Sequence, residues 1–164
     1  MGDIFERIHK CLRLDKLDCA LNELVDLKTY KIKKPFDKDE NHAWYVVGDI
    51  YFRKRMWGKA LRAFKRAVLN WPEDVDAYVA LADCYFEKNE LGAARDALLK
   101  AQTISPSNSK VAYNLANIYF DLRQYEKAIL LYTSITKDDD PDIFEKAQKN
   151  KSLSEERLHG LTIK

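Results

Sequence analysis

Cysteine and histidine are the residue types best suited to chemistry near neutral pH, as nucleophiles, proton carriers or metal ligands. The chain has three of each: Cys11, Cys19 and Cys84, and His9, His42 and His159. The cysteines follow none of the spacings that hold a structural metal, and pairing any two leaves one thiol over. In a reducing compartment they read as inert thiols, with Cys84, next to Tyr85, filling a helix-packing position as a small hydrophobe. The histidines have no carboxylate or cysteine at a useful spacing and read as surface or helix-end residues. No phosphate-binding loop, dinucleotide fingerprint or nucleophile elbow occurs. No metal, cofactor or catalytic residue is expected, and the chain does not read as an enzyme.

Charge is the second resource. Residues 53 to 66 carry Arg53, Lys54, Arg55, Lys59, Arg62, Lys65 and Arg66 with no acidic residue among them. Lys59, Arg62 and Arg66 recur at three- and four-residue spacing, which sets them on one face of a helix. Such a face suits an acidic partner, RNA or an anionic membrane surface, and equally suits plain solvation. A net charge of only +2 argues against a dedicated nucleic-acid binder. Acidic residues gather instead at Asp138, Asp139, Asp140 and Asp142. If the basic and acidic regions met head to tail between molecules, self-association would follow, and salt would weaken it.

These groups must be positioned by something, and the pattern of large and small side chains says what. Aligned at Asn41, Val75 and Ser109, three blocks repeat at a 34-residue period. The first places Trp44, Val47, Gly48, Tyr51, Ala60, Phe64, Ala67 and Pro72; the second places Tyr78, Leu81, Ala82, Tyr85, Ala94, Leu98, Ala101 and Pro106 at the same offsets. The third keeps Leu115, Ala116, Tyr119, Ala128 and Tyr132, and departs at Ala112 and Ile135, with Pro141 one residue late. A fixed period of this length marks stacked helical hairpins. Small residues at two places per unit let antiparallel helices approach closely, and Pro72 and Pro106 close their units.

Residues 41 to 142 resemble the tetratricopeptide repeat family in period and in these positions. The resemblance implies an all-α fold, an α-solenoid of stacked antiparallel helix pairs wound as a right-handed superhelix. A single domain of 164 residues is expected. It divides into a degenerate hairpin (1–34), a linker (35–40), three repeats (41–74, 75–108, 109–142) and a capping helix with tail (143–164). The turn offset that often holds glycine in this family holds Arg55, Asn89 and Arg123 here. Because arginine tolerates a left-handed backbone poorly, the two arginine turns are expected to differ from the asparagine turn.

The ends depart from the repeat. Asp3 with Glu6 offers a capping box for a first helix lined by Ile4, Ile8 and Cys11. Leu17, Leu21, Leu24 and Leu27 line a second, with Ala20 at the family's small position and Ile8 where a small residue is usual. The lysine-rich linker with Pro35 then shifts the register by six residues. At the other end, Asp140 and Pro141 begin a helix with Ile143, Phe144 and Ala147 on one face. Ser152 with Glu155 suggests a restart that ends near Gly160. No run of apolar residues is long enough to span a membrane, the N-terminus lacks a secretory signal, and Glu6 stands where a myristoylation motif needs Ser or Thr. Cytoplasmic residence is the expectation.

The resemblance also places a ligand surface. In the family, the first helix of each unit lines the concave face, and its exposed offsets hold here Tyr45, Asp49 and Phe52, then Val79, Asp83 and Phe86, then Tyr113, Asn117 and Phe120. Aromatics would supply apolar and cation–π contacts, and the ladder of Asp49, Asp83 and Asn117 would accept hydrogen bonds or pair with Lys and Arg. The same offsets also pack neighbouring helices. Two carboxylates on one groove favour a basic, partly apolar peptide, extended or helical. The clamp by which some members hold a chaperone's C-terminal carboxylate is missing. Its offsets hold Tyr45, Asp49, Ala80, Lys110 and Asn114, or, one unit earlier, Phe5, His9, Val46, Asp76 and Ala80. The leading expectation is a non-enzymatic adaptor that binds a partner's peptide. The alternatives are an RNA- or anion-binding protein using Lys59, Arg62 and Arg66, and a small secretion chaperone of this family, similar in size and repeat number alone.

Overall fold

The computed structural model describes residues 4–137 and 140–162, the last two of these by backbone alone. It divides into two units, Met1–Lys88 and Asn89–Lys164. The first runs α1 (Glu6–Arg13), α2 (Leu17–Leu24), β1 (Val25–Asp26), β2 (Lys31–Ile32), a 3-10 turn (Phe36–Lys38), α3 (Glu40–Arg53), α4 (Trp57–Asn70) and α5 (Val75–Glu87). The second runs α6 (Leu91–Ile104), α7 (Ser109–Asp121), α8 (Tyr125–Ser134) and α9 (Pro141–Thr162). The elements are those of an α-solenoid: helix pairs at the repeat period, with only a two-residue antiparallel ladder among the described residues.

Local chemistry sets the helix boundaries. An Asx side chain caps α3, α5, α7 and α9 in the same way, accepting the amide three residues on. The pairs are Asp39 to His42 N (3.2 Å), Asp74 to Ala77 N (2.9 Å), Asn108 to Val111 N (3.1 Å) and Asp140 to Ile143 N (3.0 Å). The helices α4 and α6 both end two residues before a proline, Pro72 and Pro106.

The turns correct one expectation. Arg55, Asn89 and Arg123 all adopt the left-handed conformation, at φ 56°, 59° and 57°. Two closing bonds hold each arginine turn. Arg55 N and Met56 N donate to Phe52 O and Tyr51 O, and Arg123 N and Gln124 N donate to Phe120 O and Tyr119 O, all at 2.8–2.9 Å. A left-handed arginine costs about 1–2 kcal/mol, and two hydrogen bonds that satisfy orphan helix-end carbonyls offset it. Asp15 (φ 53°) makes the same turn between α1 and α2, with Lys16 N donating to Cys11 O at 2.9 Å. Its 40-residue distance from Arg55 is the repeat period plus the six-residue shift.

In the first unit, Trp44, Val47, Ile50 and Phe64 are buried together with Ile8, Leu24 and Val25. The first repeat uses glycine at its small position because a Cβ on Gly48 would lie 2.5 Å from the Phe64 ring. Asn41 ties three elements, donating to Ala67 O (3.1 Å) and to the Asp74 carboxylate (2.8 Å).

The N-terminal segment departs from its sequence reading at Leu27. The helix α1 begins after Phe5, which makes no side-chain cap, and Asp3 lies outside the described residues. The helix α2 stops at Leu24, so Leu27 is not on its face but 52% exposed in the turn between β1 and β2. Within the linker, Phe36 is buried, with its ring 5.1 Å from Phe5. Ile8, bulky at a small position, is fully buried.

In the second unit, Ala112, Ala116, Ala128, Tyr132, Ile135 and Ala147 form one core, against which Ile143 and Phe144 pack. The departures of the third block at Ala112 and Ile135 thus lie where α9 joins the core. The helix α8 ends at Ser134, four residues short of the length of α6, and Ile135 turns extended at its end (ψ 125°). The suggested restart at Ser152 does not occur: α9 runs unbroken through Ser152 and Gly160. Ser154, fully buried, donates back to Asn150 O at 2.7 Å, which satisfies its hydroxyl within the helix.

Candidate peptide-binding surface

Helices α3 and α5 carry the groove residues of the first unit. Tyr45 is half-buried, its ring 5.5 Å from that of Phe64. Burial pushes its phenol up to about 12, and the carboxylates of Asp76, Asp49, Asp74 and Asp83 add to the rise. Four acidic groups therefore act on one tyrosine from α3, α5 and the α5 cap. Burial also raises the Asp49 carboxyl above its ordinary value, opposed by Arg53, whose Nε is 2.9 Å away. The pair is half-exposed, and an i,i+4 pair on a helix is worth only about 0.3–0.5 kcal/mol.

The other members differ in access. Phe52 is half-buried against Trp57, with ring centroids 4.8 Å apart. Asp83 is exposed and Phe86 is 45% exposed. Val79 is only 4% exposed. It therefore offers little surface beside the other expected groove residues.

In the second unit, α9 uses the corresponding residues. Asn150 Nδ2 donates to Tyr113 Oη (3.2 Å) and Asn117 Oδ1 (3.1 Å), while Tyr132 Oη donates to the same Asn117 oxygen at 2.6 Å. Burial raises the Tyr132 phenol to about 12, partly offset by its hydrogen bonding to Asn150. Phe120 packs edge-on to Tyr125 at 5.4 Å. Phe120, Asp121, Arg123 and Tyr125 line an open depression with Glu156, Arg157 and Gly160 of α9. Tyr113, Asn117 and Phe120 are thus engaged with α8 and α9. The sequence signal for this was present in the third block's departures, which mark where a non-repeat helix docks.

The basic face of α4 is engaged as well. The Arg66 guanidinium stacks over Trp44 (4.5 Å) and Tyr30 (4.8 Å), and its Nη1 donates to Tyr30 O at 3.0 Å. Arg62 lies 5.8 Å from the Tyr30 ring and Lys59 5.4 Å from that of Tyr51. Lys54 pairs with Asp18 at 2.8 Å. This is not a bare solvated face: through Arg66 and Arg62, α4 holds the turn that follows β1, and sequence reading missed Tyr30 as their partner because it lies outside the repeat.

Of the other chemistry-bearing residues, Cys84 is fully buried and its thiol is pushed up to about 12 by burial, which makes it inert. Cys11 and Cys19 differ, with sulfurs 2.6 Å apart. His9 and His42 sit ring to ring at 6.0 Å beside Phe5. In the acidic run, Asp138 and Asp139 lie outside the described residues, while Asp140 caps α9. No helix among the described residues is long and apolar enough to cross a membrane.

Comparison with known proteins agrees with this architecture. Comparison with curated protein sequences gives no match. Among solved structures, a crystal structure of MamA is 20% identical, covers all of this chain and 99% of its own, and superposes with a TM-score of 0.68. The first tetratricopeptide domain of Spaghetti (RPAP3), bound to the HSP90 peptide SRMEEVD, is 18% identical over 83% of this chain and 98% of its own, with a TM-score of 0.67. The TPR2B domain of yeast Sti1, in its complex with pHsp70, is 17% identical over 68% of this chain and 98% of its own, with a TM-score of 0.58. At these identities the likeness is one of fold. The model of the family described as tetratricopeptide repeat matches residues 45–109 and 96–143. With that match spanning more than half the sequence, the chain belongs to the tetratricopeptide repeat family.

Proposed function

We propose that this protein is a cytoplasmic, non-enzymatic adaptor that holds a basic, partly apolar peptide segment of another protein against α3 and α5. The supporting observation is the acidic field around Tyr45, where Asp49, Asp74, Asp76 and Asp83 all raise the phenol, beside the accessible rings of Phe52 and Phe86. Lys or Arg side chains would answer the carboxylates, and the rings would take the stems and apolar neighbours. The RPAP3 domain shows the fold holding a peptide, but that peptide, SRMEEVD, carries acidic residues near its end. Asp49 and Asp83 would repel such a tail. The alternative, capture of RNA or another anion on α4, would share Arg66 with its contacts to Trp44 and Tyr30.

The test is fluorescence anisotropy with matched peptides, one set carrying Lys or Arg with aromatics and one set charge-inverted. Wild type should bind the basic set, more weakly at high salt. Asp49→Lys with Asp83→Lys, checked for helicity, should lose about tenfold or more, since each reversal removes an attraction of about 0.2–1 kcal/mol and adds a repulsion. Equal binding by the variant, or preference for the acidic set, would overturn the proposal.

A further inference from the structure

The helices α1 and α2 are joined by the left-handed turn at Asp15, which brings the last turns of α1 beside the first turn of α2. This places Cys11 and Cys19, eight residues apart, with their sulfurs in contact at 2.6 Å. Contact this close puts the two sulfurs within reach of a bond. The two thiols face different surroundings: Cys11 is buried at 8% exposure, while Cys19 is exposed to solvent. Two neighbours keep the hairpin in register. Arg7 pairs with Glu23 across α1 and α2 at 2.9 Å, and Asp18, next to Cys19, pairs with Lys54 at 2.8 Å.

We propose that Cys11 and Cys19 form a redox-responsive dithiol, which a hydroperoxide converts to an intrachain disulfide and a small thiol reduces again. Cys19, the accessible sulfur, is the one a hydroperoxide reaches. Its thiolate attacks the peroxide O–O bond, takes one oxygen to become a sulfenic acid, and releases an alcohol or water. The Cys11 sulfur then attacks the Cys19 sulfur, an S–S bond forms, and the hydroxyl leaves as water with the Cys11 proton. In sum, two thiols and one hydroperoxide give one disulfide, one alcohol and one water. Two molecules of a reducing thiol reverse the change and leave as their own disulfide. The assignment of roles agrees with the Cys11 thiol being pushed up, first by its hydrogen bond to Cys19 and then by burial, so that Cys11 holds its proton until Cys19 has been oxidised. Cys84, buried in α5, takes no part. Because thiols are normally kept reduced in the cytoplasm, such a pair would be a transient sensor rather than a permanent brace.

The experiment uses the intact reduced protein. Hydrogen peroxide is added at a dose that fully oxidises dithiothreitol in a parallel tube; the protein is then denatured, alkylated and digested with trypsin. The alkylated thiols should fall from three to one, and peptides 11–13 and 17–28, which trypsin separates at Arg13 and Lys16, should be recovered joined by a reducible bond. Adding glutathione should restore three alkylated thiols. Cys11→Ser should leave Cys19 as a sulfenic acid trapped by dimedone, with no joined peptide. Cys19→Ser, an exposed substitution that leaves the core untouched, should keep Cys11 fully alkylated. Three thiols still alkylated after peroxide, Cys19 over-oxidised while Cys11 remains alkylated, or a bond found only between molecules would each overturn the proposal.

Discussion

Replacing Gly48 by alanine tests the packing argument most directly, because the effect runs against helix propensity. Alanine in a helix interior is favoured over glycine by about 1 kcal/mol, so an exposed site would gain from the change. At Gly48 the new Cβ would lie 2.5, 2.6 and 2.8 Å from three atoms of the Phe64 ring. Phe64 is 2% exposed, and Tyr45 packs at 5.5 Å on its ring, so it cannot swing aside freely. Overpacking of this kind costs about 1–3 kcal/mol, and contacts this short point to the upper end. The net expectation is a loss of about 2 kcal/mol, the overpacking cost less the propensity gain. Urea denaturation should show this as a lower midpoint at unchanged slope. The second repeat supplies the control, since it combines Ala82 with Leu98 at the same two offsets. Gly48→Ala with Phe64→Leu should therefore be more stable than Gly48→Ala alone, a favourable coupling between the sites. A Gly48→Ala variant as stable as wild type, or a double variant weaker than the single, would refute the reasoning.

Two further outcomes follow from polar contacts. Asn150→Leu removes the donor to Tyr113 and Asn117; at about 1–1.5 kcal/mol for the lost hydrogen bonds, amide exchange in α9 should rise about tenfold, and unchanged exchange would show that apolar packing alone holds the helix. The Asp49 carboxyl is raised by burial, so just above its ordinary value of 3.8 the native state holds more protons than the unfolded chain. Stability contributed by this group therefore falls as pH rises through that window. Asp49→Asn should flatten the fall, and an unchanged pH profile in thermal unfolding would remove Asp49 as its source.

Much of the fold is legible in local sequence. The 34-residue recurrence of small residues places helices α3 to α8, and Asp140 marks a helix start that the structure keeps. Local propensities failed where hydrogen bonding or burial outweighed them. Arginine disfavours a left-handed turn, yet Arg55 and Arg123 adopt one because the paired helices have closing hydrogen bonds to satisfy. Ser152 and Gly160 look like a start and a stop, yet α9 passes through both while its buried residues Ala147 and Ser154 pack inward.

The sequence by itself determined the family, the helix period and the acidic character at Asp49 and Asp83, because these are encoded by residue type at fixed offsets. Only the tertiary structure decided which groups are available. It buries Val79, engages Asn117 with Asn150, and stacks Arg66 on Tyr30 and Trp44. It also brings Cys11 against Cys19, which no metal or redox spacing foretells. The physical reason is common to all four: accessibility and sulfur–sulfur contact depend on which other segment of the folded chain is brought alongside, and residue type at a fixed offset does not state that.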